Sequence, residues 1–195
     1  MPRLIVFEGL DGTGKSSLAE RAALSTGFKL IEARSPFFID HILKAKQRGA
    51  NEETIHTLYM ASLMERSQEI QIHFSQGQSV IIARWLGSFI AGHEYYSLKR
   101  NQPMLNLDYD KMGIPDADVV FNIRASLEER VKRISSRTTL SNNDLNSIQD
   151  ANFATYFEGT LARAYPCLVH IDTTNISLDE ATTFIVRQIR AIEER

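Results

Sequence analysis

One cysteine, Cys167, stands in a chain of 195 residues. No internal disulfide can form, and a cysteine-rich metal site is excluded. That scarcity fits a reducing cytosol. Long hydrophobic runs are missing too. Nothing approaches the ~18 apolar residues of a membrane span, and the run at 4–7 is too short for a signal peptide. The expectation is a cytoplasmic protein with no membrane partner. Neither sign of charge dominates: Lys and Arg total 22 against 24 Asp and Glu, a net charge of −2. A dedicated nucleic-acid binder usually carries a basic excess, so no nucleic-acid partner is expected. There is no internal repeat and no low-complexity tract. The dinucleotide pattern G-x-G-x-x-G is absent, which disfavours a Rossmann hydride-transfer enzyme.

What is present reads as a globular protein. The hydrophobic fraction is 43% and the charged fraction 24%, against wholesale disorder. The length fits a single domain over 1–195 with one sizeable core. Five short apolar runs, rich in β-branched and aromatic residues, read as buried strands at 4–7, 28–31, 79–82, 119–123 and 168–171. Segments with helical spacing lie between them, at 16–25, 52–75, 127–136 and 178–194. The second places Ile55, Leu58, Tyr59, Leu63, Ile70 and Phe74 mostly on one side. The last carries Ala181, Phe184, Ile185, Ile189 and Ile192. Strands alternating with helices indicate an α/β layer fold with a mainly parallel sheet. The most polar stretch, 135–150, reads as a surface loop or as a mobile lid.

The strongest local signal is Gly9-Leu10-Asp11-Gly12-Thr13-Gly14-Lys15-Ser16. It fits G-x-x-x-x-G-K-[ST] at every fixed position, between a strand and a helix-compatible run. Glycines let the backbone wrap closely around phosphate. The loop N–H groups and the helix N-terminus then bind anionic oxygens. Lys15 would reach the β- and γ-phosphates of ATP, and the Ser16 hydroxyl would ligate Mg²⁺. Gly9, Asp11, Gly12, Thr13, Gly14 and Ser17 join them as the expected nucleotide site. No Asn-Lys-x-Asp motif follows, which lowers a GTPase reading, and the chain is short for a motor ATPase. A small kinase fits the size best.

With these motifs the sequence resembles the thymidylate kinase family of nucleoside monophosphate kinases. Phe7-Glu8 and the loop after it are close to that family's version, including Asp11. Arg34-Ser35-Pro36 sits where the family has Arg-Glu-Pro, and Leu58-Tyr59-Met60-Ala61 resembles the start of its acceptor helix. Arg84-Trp85 and Ser88 resemble its Asp-Arg-aromatic segment and the serine that follows. Pro115-Asp116 leads into its fourth strand, Arg133 and Arg137 fall where a basic lid would be, and Ile171-Asp172-Thr173 resembles the segment beside the adenine. The resemblance implies a three-layer P-loop kinase fold: a five-stranded parallel sheet flanked by helices, with a mobile lid at about 135–150. It also implies ATP and Mg²⁺ as cofactors, a small-molecule phosphate acceptor, and a homodimer. Asp11 and Ser16 would stand nearest the metal.

The departures concern the acceptor. Ala83 stands where the family carries aspartate, Leu63 where it carries an arginine, and Gly92 and His93 where it reads the pyrimidine. Arg66 lies one turn beyond Leu63 on the same helix face.

Ligands of open parallel sheets bind beyond the carboxyl ends of the strands. Glu8, Glu32, Arg84, Arg124 and Asp172 lie on that edge. Asp116 and Asp118 lie on the opposite one and read as structural. An arginine after an apolar strand needs an anionic partner. For Arg84 and Arg34 that partner is a substrate anion or a neighbouring carboxylate. Arg133 and Arg137, four apart on one face, read as a solvated stripe or as lid cations that stabilise the transferring phosphoryl. Lys15, Arg84, Arg133 and Arg137 are the expected catalytic cations. Glu8, Arg34, Tyr59, Arg84, Trp85 and Ser88 are the expected acceptor site, with Tyr59 or Trp85 stacking a base. Three readings stay open: a thymidylate kinase-like nucleoside monophosphate kinase whose acceptor need not be thymidylate, a nucleoside or small-alcohol kinase with Glu8 as base, and a catalytically weak nucleotide-binding regulator.

Overall fold

The computed structural model describes residues 1–136, 148, 150–166 and 168–194. Strands β1 (Leu4–Glu8), β2 (Lys29–Ile31), β3 (Val80–Ala83), β4 (Val119–Arg124) and β5 (Leu168–Asp172) form one sheet. Their order is β2-β3-β1-β4-β5, and every pairing is parallel. Each apolar run read from the sequence becomes a strand to within one residue at either end. β1 lies in the centre and is buried along its whole length. A strand covered on both faces reads as a continuous apolar run, not an alternating one.

The helices are α1 (Lys15–Thr26), α2 (Pro36–Gln47), α3 (Glu52–Ser75), α4 (Leu86–Lys99), α5 (Leu127–Ser135), α6 (Ala151–Ala164) and α7 (Leu178–Glu193). Local chemistry marks their starts. Asn51 caps α3, Ser126 caps α5, and Ser177 with Glu180 forms a reciprocal capping box on α7. Pro36 opens α2, where a missing N–H leaves nothing unsatisfied.

Two cores follow from the pleat. Ile5 and Phe7 of β1 face one way, against Leu18 and Ala22 of α1 and Ile185 and Ile189 of α7. Leu4 and Val6 face the other, against Met60, Leu63 and Ile70 of α3 and Trp85 and Phe89 near the start of α4. A third cluster, Ala91, Phe157 and Leu161, joins α4 to α6. The fold is α/β in three layers, as the sequence implies.

Three helices escape the sequence pattern. α2 buries only Ile42, α4 has glycines at 87 and 92, and α6 buries only Phe157, Thr160 and Leu161. On α7, Phe184 departs from the expected stripe: it is 46% exposed. Asp118 is structural, as expected. It accepts the Leu4 N–H at 2.8 Å and pairs with Arg3 at 2.7 Å, fixing the start of β1. The expected lid, apart from residues 135, 136, 148 and 150, lies outside the described residues, and so does Arg137.

Candidate active site

The phosphate loop leaves the central strand at Glu8 and enters α1 at Lys15. Two of its glycines are demanded by sterics. Gly9 has φ +145°, and a Cβ there would stand 2.4 Å from the Ile123 carbonyl oxygen. Gly12 has φ +85°, and its Cβ would stand 2.8 Å from the Arg130 carbonyl oxygen. Only glycine takes such backbone angles at such close approach. Thr13 is buried, and its hydroxyl donates to the Leu10 carbonyl at 2.9 Å. Ser16 and Ser17 are exposed on the first turn of α1, where free backbone donors and the helix dipole favour an anion.

Lys15 is buried under the loop. Its Nζ donates to the Leu10 carbonyl at 3.2 Å and to Asp11 Oδ1 at 3.4 Å. Burial pushes this ammonium down to about 7, and the charge of Arg84 pushes the same way against Asp11. An arriving phosphate favours the charged form. Arg84 also converges on Asp11: its Nη2 is ion-paired to Oδ1, and its Nη1 donates to the Gly9 carbonyl at 3.3 Å. Its backbone sits at φ +75°, a region L-residues with side chains rarely adopt. Asp11, expected beside the metal, is thus the shared counter-ion of two cations.

Glu8 is fully buried. Its Oε1 accepts the N–H groups of Trp85 at 3.0 Å and Ser88 at 3.1 Å and the Tyr165 hydroxyl at 3.2 Å. Its Oε2 accepts the Ser88 hydroxyl. Burial raises its pKa, and the Ser88 hydroxyl, the Trp85 N–H, the charge of Arg84 and the Ser88 N–H oppose the rise. The carboxylate therefore anchors the N-terminus of α4, where negative charge is favoured. It corrects the expectation of a substrate-facing Glu8. Trp85 is corrected as well: it is 1% exposed and its indole N–H donates to the Pro115 carbonyl, so it is core and not a base platform. Ser88 is spent on Glu8.

Tyr59, half-buried on α3, gathers two cations. Its ring packs on Phe89 at 5.6 Å, the Arg34 guanidinium lies over it at 5.7 Å, and Lys46 Nζ lies over it at 5.6 Å. Leu63 is fully buried, and the guanidinium of Arg66 is paired to Glu65 and Glu69.

Arg133 is not a lid cation in this structure. It binds Glu129 at 2.9 Å, the Thr13 carbonyl at 3.3 Å, the Thr173 hydroxyl at 2.9 Å and the Thr173 carbonyl at 2.7 Å. It therefore staples the phosphate loop to the turn after β5. Asp172, exposed at that turn, accepts the Thr174 N–H at 2.8 Å; the Thr174 side chain first, and this N–H second, hold its carboxyl below the usual range. Sequence reasoning missed Thr173, Tyr165 and Arg130. Thr173 bridges to the Thr13 and Arg124 carbonyls, and Arg130 Nε donates to the Asp11 carbonyl at 2.8 Å. Only Thr173, adjacent to Asp172, had a signal nearby.

Among the described residues no cluster of three His, Cys, Asp or Glu could hold a metal ion. Mg²⁺ does not need one, since it keeps several waters and takes few protein ligands beside substrate phosphates. The exposed Ser16 hydroxyl beside a loop shaped for phosphate fits that requirement. No helix of the described residues is long and apolar enough to cross a membrane.

The thymidylate kinase family model matches residues 7–185. A probable thymidylate kinase of Sulfurisphaera tokodaii is 27% identical over 173 residues, 87% of each chain. A thymidylate kinase of Caenorhabditis elegans is 30% identical over 149 residues, 67% of this chain and 66% of that one. Among solved structures, the thymidylate kinase of Candida albicans superposes with a TM-score of 0.75 at 24% identity, covering 98% of this chain and 92% of that one.

Proposed function

The chain belongs to the thymidylate kinase family and is a nucleotide kinase, and from that premise we propose that it transfers the γ-phosphoryl group of ATP, with Mg²⁺, to the phosphate of a nucleoside monophosphate not restricted to thymidylate. The observation that carries the choice of acceptor is the engagement of Glu8, whose oxygens already hold four donors of its own chain. An alcohol acceptor needs a base near its proton. Ala83 ends β3 without a carboxylate, Asp11 is ion-paired, and Glu8 is sealed. A phosphate acceptor, with a second pKa of about 6, is already largely anionic at neutral pH. It needs cations, and Arg84 and Lys15 converge beside the phosphate loop.

In this mechanism the loop N–H groups and Lys15 hold the β- and γ-phosphates of ATP. Arg84 exchanges Asp11 for the acceptor phosphate, and Arg34 closes on it from the β2 side. Tyr59, backed by the buried Phe89, holds the base. The Arg133 staple keeps the loop carbonyls of residues 12 and 13 turned away from the phosphates. The exposed Ser16 hydroxyl would hold Mg²⁺, which would supply positive charge to offset the charge that develops during transfer. The departures at 63 and 83 support an acceptor range different from thymidylate alone. Family membership supports a homodimer and a cytoplasmic location as part of the same proposal.

ADP release over many turnovers, with a panel of nucleoside monophosphates and their unphosphorylated counterparts, tests this reading. Monophosphates should outperform the counterparts by at least tenfold, and a folded Lys15→Ala variant should turn over neither. Faster turnover of a free nucleoside, lost in Glu8→Gln, would replace this reading with the nucleoside-kinase one.

A further inference from the structure

Helix α4 has two interior glycines, and they answer to different constraints. Gly87 is fixed by packing, since a Cβ there would stand 2.6 Å from Leu161 Cδ2 and from Tyr165 Cε2. Gly92 has no such neighbour. Among the described residues no atom lies within 4 Å of where its Cβ would stand, and its φ is not in the left-handed region. Yet it is half-buried, unlike Gly159 of α6, which is simply exposed. Glycine inside a helix is less stable than alanine, so neither backbone geometry nor packing accounts for Gly92. Among the described residues this half-buried backbone therefore faces open space, a gap in the surface of α4.

The neighbours of Gly92 place that gap at the acceptor cleft. Ser88 and Tyr96 stand one turn to either side on the same row of the helix. Ser88 reaches back to Glu8 at the root of the phosphate loop. The Tyr96 hydroxyl has its pKa raised by burial first, then by Asp150, with Asp11 of the phosphate loop also contributing. Phe89, three residues before Gly92, carries the Tyr59 ring. The row therefore walls the cleft between the loop and the Tyr59 platform, with its gap at 92. The platform is aromatic, and aromatic stacking is tolerant of which base lies on it. Leu63, fully buried, offers no donor to a base edge.

We propose that Gly92 sets the width of the acceptor cleft, so that the chain takes purine as well as pyrimidine nucleoside monophosphates. This inference rests on the kinase reading of the same site. A side chain at 92 would grow into the cleft and exclude the larger base first.

Binding and turnover of one purine and one pyrimidine monophosphate, in wild type, Gly92→Ala and Gly92→Leu, test the inference. Gly92→Leu should weaken binding and lower kcat/KM for the purine at least tenfold, with the pyrimidine changed less than about threefold. Gly92→Ala should raise Tm by about 2–4 °C, as alanine for glycine in a helix does in a chain of this size. A folded Gly92→Leu that leaves both acceptors unchanged, or weakens both equally, overturns the inference. So does a wild type that binds only the pyrimidine, which leaves the kinase reading intact. A wild type that binds both and phosphorylates neither overturns the kinase reading, and the binding ratios in Gly92→Leu then decide the cleft width.

Discussion

Arg84 holds a φ of +75°, and a side chain in that region costs about 1–2 kcal/mol. The surrounding contacts hold the strain in place: its N–H donates to the Phe7 carbonyl at 2.7 Å, and the first turn of α4 hangs from Glu8 through the N–H groups of Trp85 and Ser88. The strained backbone is what turns the guanidinium from the end of β3 toward Asp11. Stability and activity should therefore separate at this residue. Arg84→Gly should be more stable than Arg84→Ala by about 1 kcal/mol, because glycine enters the left-handed region freely. Both variants should lose at least a hundredfold in kcat/KM with a monophosphate acceptor. Urea midpoints beside steady-state rates check this. Equal stability of the two variants would remove the strain argument, and near-normal rates would remove the role of the guanidinium. The sequence placed an arginine at the end of an apolar strand and asked for an anion there. It gave no sign of the backbone angle, because nothing local to Ala83-Arg84-Trp85 disfavours an extended chain. The angle comes from Glu8, 77 residues away from Trp85.

Helices α3 and α4 meet at a pair of histidines. His56 and His93 stack at 3.8 Å with an interplanar angle of 13°, and both are buried. His93 Nε2 accepts the Leu105 N–H at 2.9 Å, and the Tyr109 hydroxyl lies 3.4 Å from His56 Nε2. Burial, then the charge of His93, pushes His56 down to about 3. Burial also lowers His93, against the pull of Glu52, Glu94 and Glu53. Glu52 itself is paired to Arg100. The unfolded chain protonates such groups near 6.5, well above the folded His56. The unfolded state therefore binds more protons between pH 6.5 and about 3, and stability falls as pH falls through that window. For His56 the slope approaches about 1.4 kcal/mol per pH unit within that window, and His93 acts in the same direction. His56→Phe keeps a ring in the stack and removes its titration. Urea midpoints at pH 7, 6 and 5 should decline more steeply for wild type than for His56→Phe, and parallel declines would contradict the buried neutral pair. The sequence marked His93 only as a departure in the acceptor region. Its partner lies 37 positions earlier on another helix, a pairing that no periodicity reports.

At the scale of the whole molecule, the parallel sheet brings the site together by ending β1, β3, β4 and β5 on one edge. The contiguous signals that were legible are the eight residues of phosphate loop, the five apolar strands and the arginine after the third; helices α2, α4 and α6 were not. The rest of what was not legible spans distance. Glu8 finds Ser88 and Tyr165 across 80 and 157 positions, and Arg133 finds Thr173 across 40. These contacts turned a candidate base into an anchor and a candidate lid cation into a staple. The same contacts engage Glu8 and Asp11 and leave Arg84 and Lys15 converging beside the phosphate loop, which is the physical reason for assigning a phosphate acceptor. The chemistry of the bond formed is then decisive. Phosphorus-31 NMR of the products from ATP, Mg²⁺ and a nucleoside monophosphate reads that bond directly. Transfer to phosphate gives a new phosphoanhydride, seen as a pair of coupled signals from one acceptor molecule, and that is the expected spectrum. A new uncoupled phosphomonoester signal on the acceptor, or inorganic phosphate alone, would contradict the assignment.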